Sequence, residues 1–316
     1  MQGARLKDDD ILVRVLTTTA HSYLLFFTTR GKVYRLKAYQ VPMMERTARG
    51  TAVVNLLQLE PDEVVEAVID TQEFAADQFL LFVTRKGVVK KTAFSEYDKN
   101  RTNGLIAINL RDQDELVRVI QVRGDDDVVL VSSAGQAIRF AGDQVRPMGR
   151  SAAGVRGMKL RTGDVVVAAA ATSENDQRYL LTVTEGGYGK RTPIEAYPRK
   201  GRGTMGVKGI KLTEARGAAV IGARMVELDD EVIMVSSGGV LIRTAVSEIA
   251  EQRRDATGVK VMNVGGDETV AALSPVTLDL DEIIEAEIIE TSELINKELK
   301  NSDLPDEIRI GAILRG

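Results

Sequence analysis

The sequence predicts an all-β protein, a propeller-like array of about five complete four-stranded blades plus a partial sixth, with a short α/β tail. Three observations lead to this fold class. A unit of about fifty residues recurs along the chain, apolar runs flank a turn glycine in every copy, and a hydrophobic content of 44% over 316 residues can fill a sizeable core. A lone four-stranded sheet cannot bury both of its faces, whereas blades stacked around an axis can.

The first landmark of the unit is a predicted β-hairpin. An apolar run leads to a glycine, and a basic residue stands four positions after it, as in YLLFFTTRGKVYR around Gly31. Apolar and β-branched residues on both sides of a glycine turn are typical of two paired strands. The turn glycines are Gly31, Gly87, Gly135, Gly187 and Gly239, and the bases that follow them are Arg35, Lys91, Arg139, Arg191 and Arg243.

The second landmark is a further glycine at the end of a basic loop, 17 to 19 residues after the first. These glycines are Gly50, Gly104, Gly154, Gly206 and Gly258. An arginine precedes each by four residues, or by three in the shorter second copy: Arg46, Arg101, Arg150, Arg202 and Arg254. Ordinary turns explain single glycines but not the fixed offset of an arginine from them, so the spacing indicates a true repeat. A short strand is predicted after each of these glycines.

The third landmark is an acid or acidic pair that leads another strand, as in Asp62-Glu63 and at Asp114. We expect these acids to be solvated at the start of the strand rather than to act in general acid–base chemistry. The copy near Gly217 has lost its acid. Together with the hairpin and the short strand, this strand gives each unit about four strands.

Charge divides the chain into two regions. The net charge is −4, but residues 277–316 hold eleven acids and four bases, which leaves 35 acids and 38 bases in residues 1–276. We therefore predict a repeat domain over residues 1–276 and an acidic tail over residues 277–316. Residues 2–15 align with residues 156–169, so the sequence starts inside a unit, and we expect one hairpin and one basic loop to be missing upstream.

Composition excludes several kinds of site. Without cysteine there is no disulfide or thiolate zinc site, and a single histidine, His21, cannot form a histidine metal cluster or a catalytic triad. The run from Gly186 to Thr192 lacks the spacing and the Gly-Lys-Ser/Thr ending of a phosphate-binding loop. We predict no catalytic and no metal-binding residues. No signal sequence or membrane span is apparent, so a cytoplasmic protein without membrane contact is expected.

The repeated bases predict a nucleic-acid interface. If the units surround an axis, one arginine per unit places a line of positive charge along the rim, where a curved polyanion can follow it. Aromatic residues amount to 4% and tryptophan is absent, which favours duplex DNA over single strands held by base stacking. The predicted DNA-binding residues are Arg35, Lys37, Arg46, Arg49, Lys91, Arg101, Arg139, Arg150, Arg191, Arg199, Lys200, Arg202, Arg243, Arg253 and Arg254. The alternatives are a solvated basic surface and a propeller that serves as a platform for protein partners.

Several runs of the chain resemble the C-terminal domain of DNA gyrase A. They include RGKVYRLKAYQVP, ERTARGTAVVNLL, NRTNGLIAINLRDQDELVRV, GGYGKRTPIEAYP and VLIRTAVSEI, and the resemblance covers residues 2 to about 276. It implies a β-pinwheel that wraps duplex DNA on its basic perimeter and presents it to the gyrase A breakage-reunion core. Strand passage driven by ATP on gyrase B then introduces negative supercoils. The resemblance further implies that ATP and magnesium act on other parts of the holoenzyme, that this chain needs no cofactor, and that the isolated domain is monomeric.

Two segments depart from the family pattern. The gyrase-A box, a Gln-basic-Arg-Gly-Gly-basic-Gly heptad, belongs to the loop that would precede Gln2, so we expect a fragment that binds and bends DNA without supporting full supercoiling. Residues 281–316 resemble instead the first half of the ligand-sensing C-terminal domain (RCK-C/TrkA-C) of potassium-transport regulators. That resemblance implies a strand, a short helix around Ser292 to Lys300 and a strand from Ile308 to Leu314. We expect the tail to be a fused fragment, or to pack in place of the missing hairpin.

Overall fold

The computed structural model describes residues 12–44, 51–99, 101, 103–266, 268–275 and 309–315. Within these ranges the chain is built from β-strands and from 3₁₀ helices of three or four residues, which confirms the all-β prediction. The 3₁₀ helices are Ala38–Gln40, Val53–Asn55, Phe94–Tyr97, Gly142–Gln144, Ile194–Ala196, Glu214–Arg216 and Val246–Glu248.

The strands form five antiparallel blades of a propeller, each running from an inner to an outer strand. The first blade holds β4 (Val65–Thr71), β2 (Tyr23–Thr28), β3 (Lys32–Lys37) and β7 (Leu105–Ile106). The second holds β8 (Leu116–Val122), β5 (Phe79–Thr84), β6 (Val88–Ala93) and β11 (Val155–Arg156). The third holds β12 (Val166–Thr172), β9 (Asp127–Ser132), β10 (Gln136–Ala141) and β15 (Val207–Lys208). The fourth holds β16 (Val220–Val226), β13 (Tyr179–Thr184), β14 (Tyr188–Pro193) and β19 (Val259–Lys260), and the fifth holds β20 (Val270–Pro275), β17 (Glu231–Ser236) and β18 (Leu241–Ala245).

The hairpin strands are apolar on both faces because each blade is covered on both sides. Leu80 and Phe82 pack in a cluster shared with the first blade, whereas Leu81 and Val83 pack in a cluster shared with the third. All four side chains are fully buried. The turn between these strands needs Gly87, whose φ of +78° is strained for other residues. The hydrophobic core of the protein therefore lies between blades.

The outer strand of a blade comes from the next unit of the chain. β7 follows the hairpin of the second unit, yet it pairs with β3 of the first. The carbonyl oxygen of Gly31 also accepts the N–H groups of Ala107 at 2.8 Å and Ile108 at 3.1 Å. The same exchange recurs in the second, third and fourth blades. A unit thus supplies three strands to its own blade and one to the preceding blade, and a two-residue strand is too short to show this partner through periodicity.

Acids of the third landmark are bound inside the blades. Glu63 is 6% exposed and accepts a hydrogen bond from the hydroxyl of Thr28 at 2.6 Å. Asp114 is 8% exposed and accepts a hydrogen bond from the hydroxyl of Thr84 at 2.7 Å. Each bond ties the start of an inner strand to the end of the first hairpin strand, and a carboxylate is a strong acceptor for it. The expectation of solvated acids is wrong at these positions.

A two-stranded sheet stands in the position of the partial sixth blade. β1 (Leu12–Thr19) pairs antiparallel with β21 (Arg309–Arg315) and contacts the inner strand β20 of the fifth blade. The strand predicted from Ile308 to Leu314 is thus confirmed, and the helix predicted around Ser292 to Lys300 lies outside the described residues. In the described part of the chain the fifth blade has three strands, so the prediction of four strands holds for four blades of the five.

Candidate nucleic-acid interface

Four basic loops, those that lead to Gly104, Gly154, Gly206 and Gly258, cross the outer edge of the propeller, the rim, each at the seam between two blades. Each of the four begins at the 3₁₀ helix that follows the second hairpin strand of its own blade and ends at the outer strand of the preceding blade. Main-chain bonds hold the loop there: the N–H of Lys200 donates to the carbonyl of Arg139 at 2.8 Å, and that of Gln252 donates to the carbonyl of Arg191 at 3.0 Å. Successive seams therefore present equivalent loops.

The predicted loop bases differ in exposure. The exposed ones are Arg101, Arg199, Lys200 and Arg253. The half-buried ones are Arg150, Arg202 and Arg254. Two more, Arg46 and Arg49, lie outside the described residues.

Two of the half-buried arginines bond to an outer strand of the neighbouring blade and keep donors for a ligand. The guanidinium of Arg254 donates to the carbonyl oxygen of Lys208 at 2.8 Å, and that of Arg202 donates to the carbonyl oxygen of Arg156. A guanidinium carries five N–H donors, so a few internal bonds leave others for phosphate oxygens. These arginines thus fix the loop and add positive charge to the rim.

Arg139 of the third hairpin is not part of this surface. Its side chain is buried, with Nε donating to Asp127 at 2.7 Å, Nη2 to the carbonyl of Ser173 at 3.1 Å and Nη1 to the carbonyl of Ile194 at 3.3 Å. Asp127 is itself fully buried. A guanidinium with these bonds does not reach a phosphate in this structure. We therefore assign Arg139 a structural role and leave it out of the interface.

The other hairpin bases are also engaged with the protein. Lys91 is buried and its Nζ atom donates to the carbonyl of Gly142 at 2.7 Å, so it too leaves the predicted interface. Lys37 lies 3.3 Å above the ring of Tyr23 and donates to the carbonyl of His21. The remaining bases form the ion pairs Arg35–Asp98 at 2.8 Å, Arg191–Glu251 at 3.0 Å and Arg243–Glu231. The sequence predicts that these bases lie on hairpins. It does not predict the carbonyl groups, aromatic ring and acids that bind them in the folded protein.

Two buried lysines support the basic loops from beneath. Nζ of Lys190 donates to the carbonyl oxygens of Arg253 at 2.8 Å and Arg254 at 3.0 Å, and Nζ of Lys90 donates to the carbonyl oxygen of Arg150. Burial lowers the pKa of Lys90 to about 7 and that of Lys190 to about 8, because an ammonium ion loses its hydration there. The two lysines satisfy carbonyl groups of the loop main chain and so shape the rim.

Three exposed bases on the rim escaped the sequence reasoning. They stand at the second position of the two-residue outer strands, and we call them the edge-strand bases: Arg156, Lys208 and Lys260. Each follows the second-landmark glycine by two residues, in GVR, GVK and GVK, so a constant offset was the available signal. They extend the positive surface from the loops onto the blades.

Within the described residues, the other features that bear on function are the single histidine, the potential metal ligands and the helices. His21 is exposed, and its ring lies edge-on to Tyr39 with the centroids 6.5 Å apart. No group of three or more His, Cys, Asp or Glu side chains within the described ranges could hold a metal ion. The helices of those ranges are too short to cross a membrane.

A comparison with known families decides the assignment. The model of the DNA gyrase C-terminal domain, a β-propeller, matches residues 22–72, 78–123, 126–173, 178–227 and 230–277. The chain belongs to this gyrase family. Each of the five matches contains one hairpin and the inner strand that follows it, so each gyrase repeat supplies the three long strands of one blade.

Curated gyrase relatives extend the comparison. The DNA gyrase A protein of Mycobacterium tuberculosis (strain H37Rv) is 43% identical over 276 residues, which cover 87% of this chain and 33% of the relative. The Salmonella typhimurium protein is 42% identical over 280 residues, covering 89% of this chain and 32% of the relative. The DNA gyrase A protein of Staphylococcus aureus is 37% identical over 314 residues, covering 99% of this chain and 35% of the relative. This chain thus spans about a third of the length of the curated relatives it matches.

Most of the acidic tail is included in an alignment with a gyrase relative. The alignment with the Staphylococcus aureus gyrase protein covers 99% of the chain, and it therefore includes most of residues 277–316. The predicted resemblance of the tail to RCK-C domains is unsupported by these comparisons.

Solved gyrase and topoisomerase domains share the fold. A crystal structure of the C-terminal domain of DNA topoisomerase IV has a TM-score of 0.78 at 26% identity, covering 87% of this chain and 85% of that one. A structure of the DNA gyrase A C-terminal domain has a TM-score of 0.70 at 27% identity, covering 87% of this chain and 92% of that one.

Proposed function

We propose that this gyrase-family domain binds duplex DNA and bends it around its rim. The observation that carries the proposal is the recurrence of basic loops at successive seams, with the exposed Arg101, Lys200 and Arg253 in three of them. Phosphates are spaced evenly along the duplex and carry no base identity, so equivalent loops suit weakly sequence-specific binding.

Bending energy explains why several seams are needed. A smooth bend of about 40–90° over a short site costs about 1–6 kcal/mol. A single exposed ionic contact contributes at most about 1 kcal/mol, so one loop cannot hold DNA bent. The four seams between the five described blades can share that cost.

The proposal places the chain in a larger enzyme. As the C-terminal domain of a DNA gyrase A protein, it would hold a wrapped DNA segment for the breakage-reunion core. Gyrase B would supply ATP-driven strand passage in the cytoplasm, and the whole assembly would act as a type II topoisomerase that introduces negative supercoils. We assign this chain no cofactor, and we expect the isolated domain to be a monomer.

Mobility-shift titrations of a duplex at several salt concentrations test the DNA-binding proposal. We expect log affinity to fall linearly with log salt, with a slope of about −0.9 for each phosphate neutralised. Replacing all three edge-strand bases by glutamine should make the slope shallower by about 2.7 if each contacts one phosphate. A slope that stays unchanged in this variant would exclude these bases from the interface.

Charge reversal on the loops identifies the binding surface. We expect Arg253→Glu and Lys200→Glu to weaken duplex binding at least fivefold each. Arg123→Glu is the matched control, because Arg123 is also exposed but lies in the connection between β8 and β9. Equal effects of all three substitutions would indicate a response to net charge alone. Binding that is absent or insensitive to salt at micromolar protein would refute the proposal and favour a platform for protein partners.

A further inference from the structure

One face of the propeller is acidic. We call it the connection face, and it consists of the connections from inner strands to hairpins together with the 3₁₀ helices that follow the hairpins. Main-chain bonds join the two sets: the N–H of Gly142 donates to the carbonyl of Asp126 at 3.0 Å, and that of Val246 donates to the carbonyl of Asp230 at 2.9 Å. The segments are residues 72–78, 123–126, 173–178 and 227–230 and the helices 38–40, 94–97, 142–144, 194–196 and 246–248, which hold 13 acids and two bases.

The acids of the connection face recur from blade to blade. Four of these five helices carry one acid and no base: Glu96, Asp143, Glu195 and Glu248. In the connections, Asp77, Asp125 and Glu227 are exposed. One of the two bases, Arg178, is paired with Asp176 of its own connection. The excess of negative charge is therefore spread around the disc.

The opposite face has no such bias. We call it the turn face, and it consists of the hairpin turns and the segments that lead to the inner strands. These are residues 29–31, 85–87, 133–135, 185–187, 237–239, 56–64, 107–115, 157–165, 209–219, 261–266 and 268–269, which hold eight bases and ten acids. Two of the ten acids, Glu63 and Asp114, are buried. The surface charge of the turn face is thus close to balanced.

We infer that the connection face acts as an electrostatic barrier, which confines the bent duplex to the rim and to its turn-face side. This inference rests on the proposed DNA binding. The hairpin strands of six residues span about 20 Å, so the middle of the rim lies about 10 Å from either face. The Debye length is about 8–10 Å near physiological salt, so the acids act on phosphates at the rim before screening removes their effect.

The acidic barrier determines toward which side of the disc the duplex lies, which the basic loops by themselves do not. The loops run across the rim from the connection face to the outer strands and offer positive charge between the two faces. Repulsion of the same sign at every seam displaces the duplex toward the same side of the disc. The exposed Lys159 and Arg161 of the turn face are then within reach of the displaced duplex.

Site-directed DNA cleavage tests the path. The chain contains no cysteine, so a single introduced cysteine can carry an Fe–EDTA group that cuts nearby DNA. In the full chain we choose three exposed positions: Ser151→Cys on the rim, Thr162→Cys on the turn face and Ser247→Cys on the connection face. We expect cleavage from the connection face to be at least tenfold weaker than from the other two at about 0.1 M salt. Equal cleavage from the two faces would overturn the inference.

Neutralising acids of the connection face is the second test of the DNA path. We expect Glu227→Gln with Asp229→Asn to raise cleavage from Cys-labelled position 247 at least threefold. Both acids are exposed and lie in the connection 227–230, which is bonded to the helix 246–248, so the repulsion near position 247 is reduced. The matched control is Asp112→Asn with Glu214→Gln, which removes two exposed acids of the turn face and should leave that cleavage unchanged. No increase in the first variant, with the duplex still cut from the rim, would overturn the barrier. Absence of cleavage from every position and of any mobility shift would refute the DNA-binding proposal itself.

Discussion

Replacing Arg139 by alanine separates a structural role from a DNA-binding role. Its guanidinium donates to Asp127 and to the carbonyls of Ser173 and Ile194, and Asp127 is 0% exposed. Removing one partner of a buried ion pair costs about 3–5 kcal/mol. Arg199 still donates to Asp127 at 2.7 Å, so we expect the lower end of that range, about 3 kcal/mol in the free energy of unfolding.

Urea unfolding followed by circular dichroism measures this loss. With a urea dependence of about 2–3 kcal/mol per molar, the midpoint should fall by about 1–1.5 M. Arg253→Ala is the reference, because its side chain is exposed and the internal bond at this residue uses the carbonyl group. We expect Arg253→Ala to keep the parental midpoint and to weaken duplex binding.

Arg139→Ala should therefore lower the urea midpoint and keep duplex binding, whereas Arg253→Ala should keep the midpoint and weaken duplex binding. Arg139→Lys adds a further check, because lysine keeps the charge but lacks the planar fork that binds three acceptors, and it should remain destabilised. If Arg139→Ala kept the parental midpoint and lost duplex affinity as Arg253→Ala does, the structural assignment of Arg139 would be wrong.

Two further predictions concern the stability of a hairpin turn and of a buried lysine beneath a basic loop. Gly187→Ala should lower the free energy of unfolding in urea by more than about 2 kcal/mol, because Gly187 has a φ of +77° and a Cβ atom there would lie 2.2 Å from the carbonyl oxygen of Met262. Gly163→Ala should lower the free energy of unfolding by less, because Gly163 has a φ of +82° but no atom lies within 4 Å of its added Cβ. Equal losses in the two variants would contradict the steric argument. Burial lowers the pKa of Lys190 from 10.5 to about 8, so the unfolded chain binds more protons between these values and the free energy of unfolding should rise with pH from about 8 to 10. Urea midpoints at pH 7.5, 8.5 and 9.5 should rise less in Lys190→Met than in the parent, and parallel curves would count against this linkage.

Local signals were sufficient to predict the hairpins. Gly31 and Gly87 have positive φ values and stand at turns between apolar strands, as their sequence context indicates. The offset of the loop arginines also predicted equivalent loops at consecutive seams. These features depend on residues that are close in sequence, so one copy of the repeat can be read by itself and checked against the next.

Contacts between units were not predictable in the same way. The two residues of β7 carry too little pattern to reveal a partner about seventy residues earlier. Lys91 and Arg139 look like surface bases in a hairpin, but segments of the next unit enclose them. The exposed bases next to them in space, such as Lys200, cannot be told apart from buried ones by residue type alone.

The sequence by itself determined the repeat, the hairpins and the spacing of the basic loops, because turn glycines and apolar alternation act over a few residues. The tertiary structure decided which unit completes each blade, which cations are enclosed and which remain at the rim. Those outcomes follow from packing one unit against another, where a base such as Arg139 meets the carbonyl group of Ile194 from the next unit and loses its access to solvent. Side chains become buried only when the blades are assembled, so their burial cannot be predicted from a single repeat.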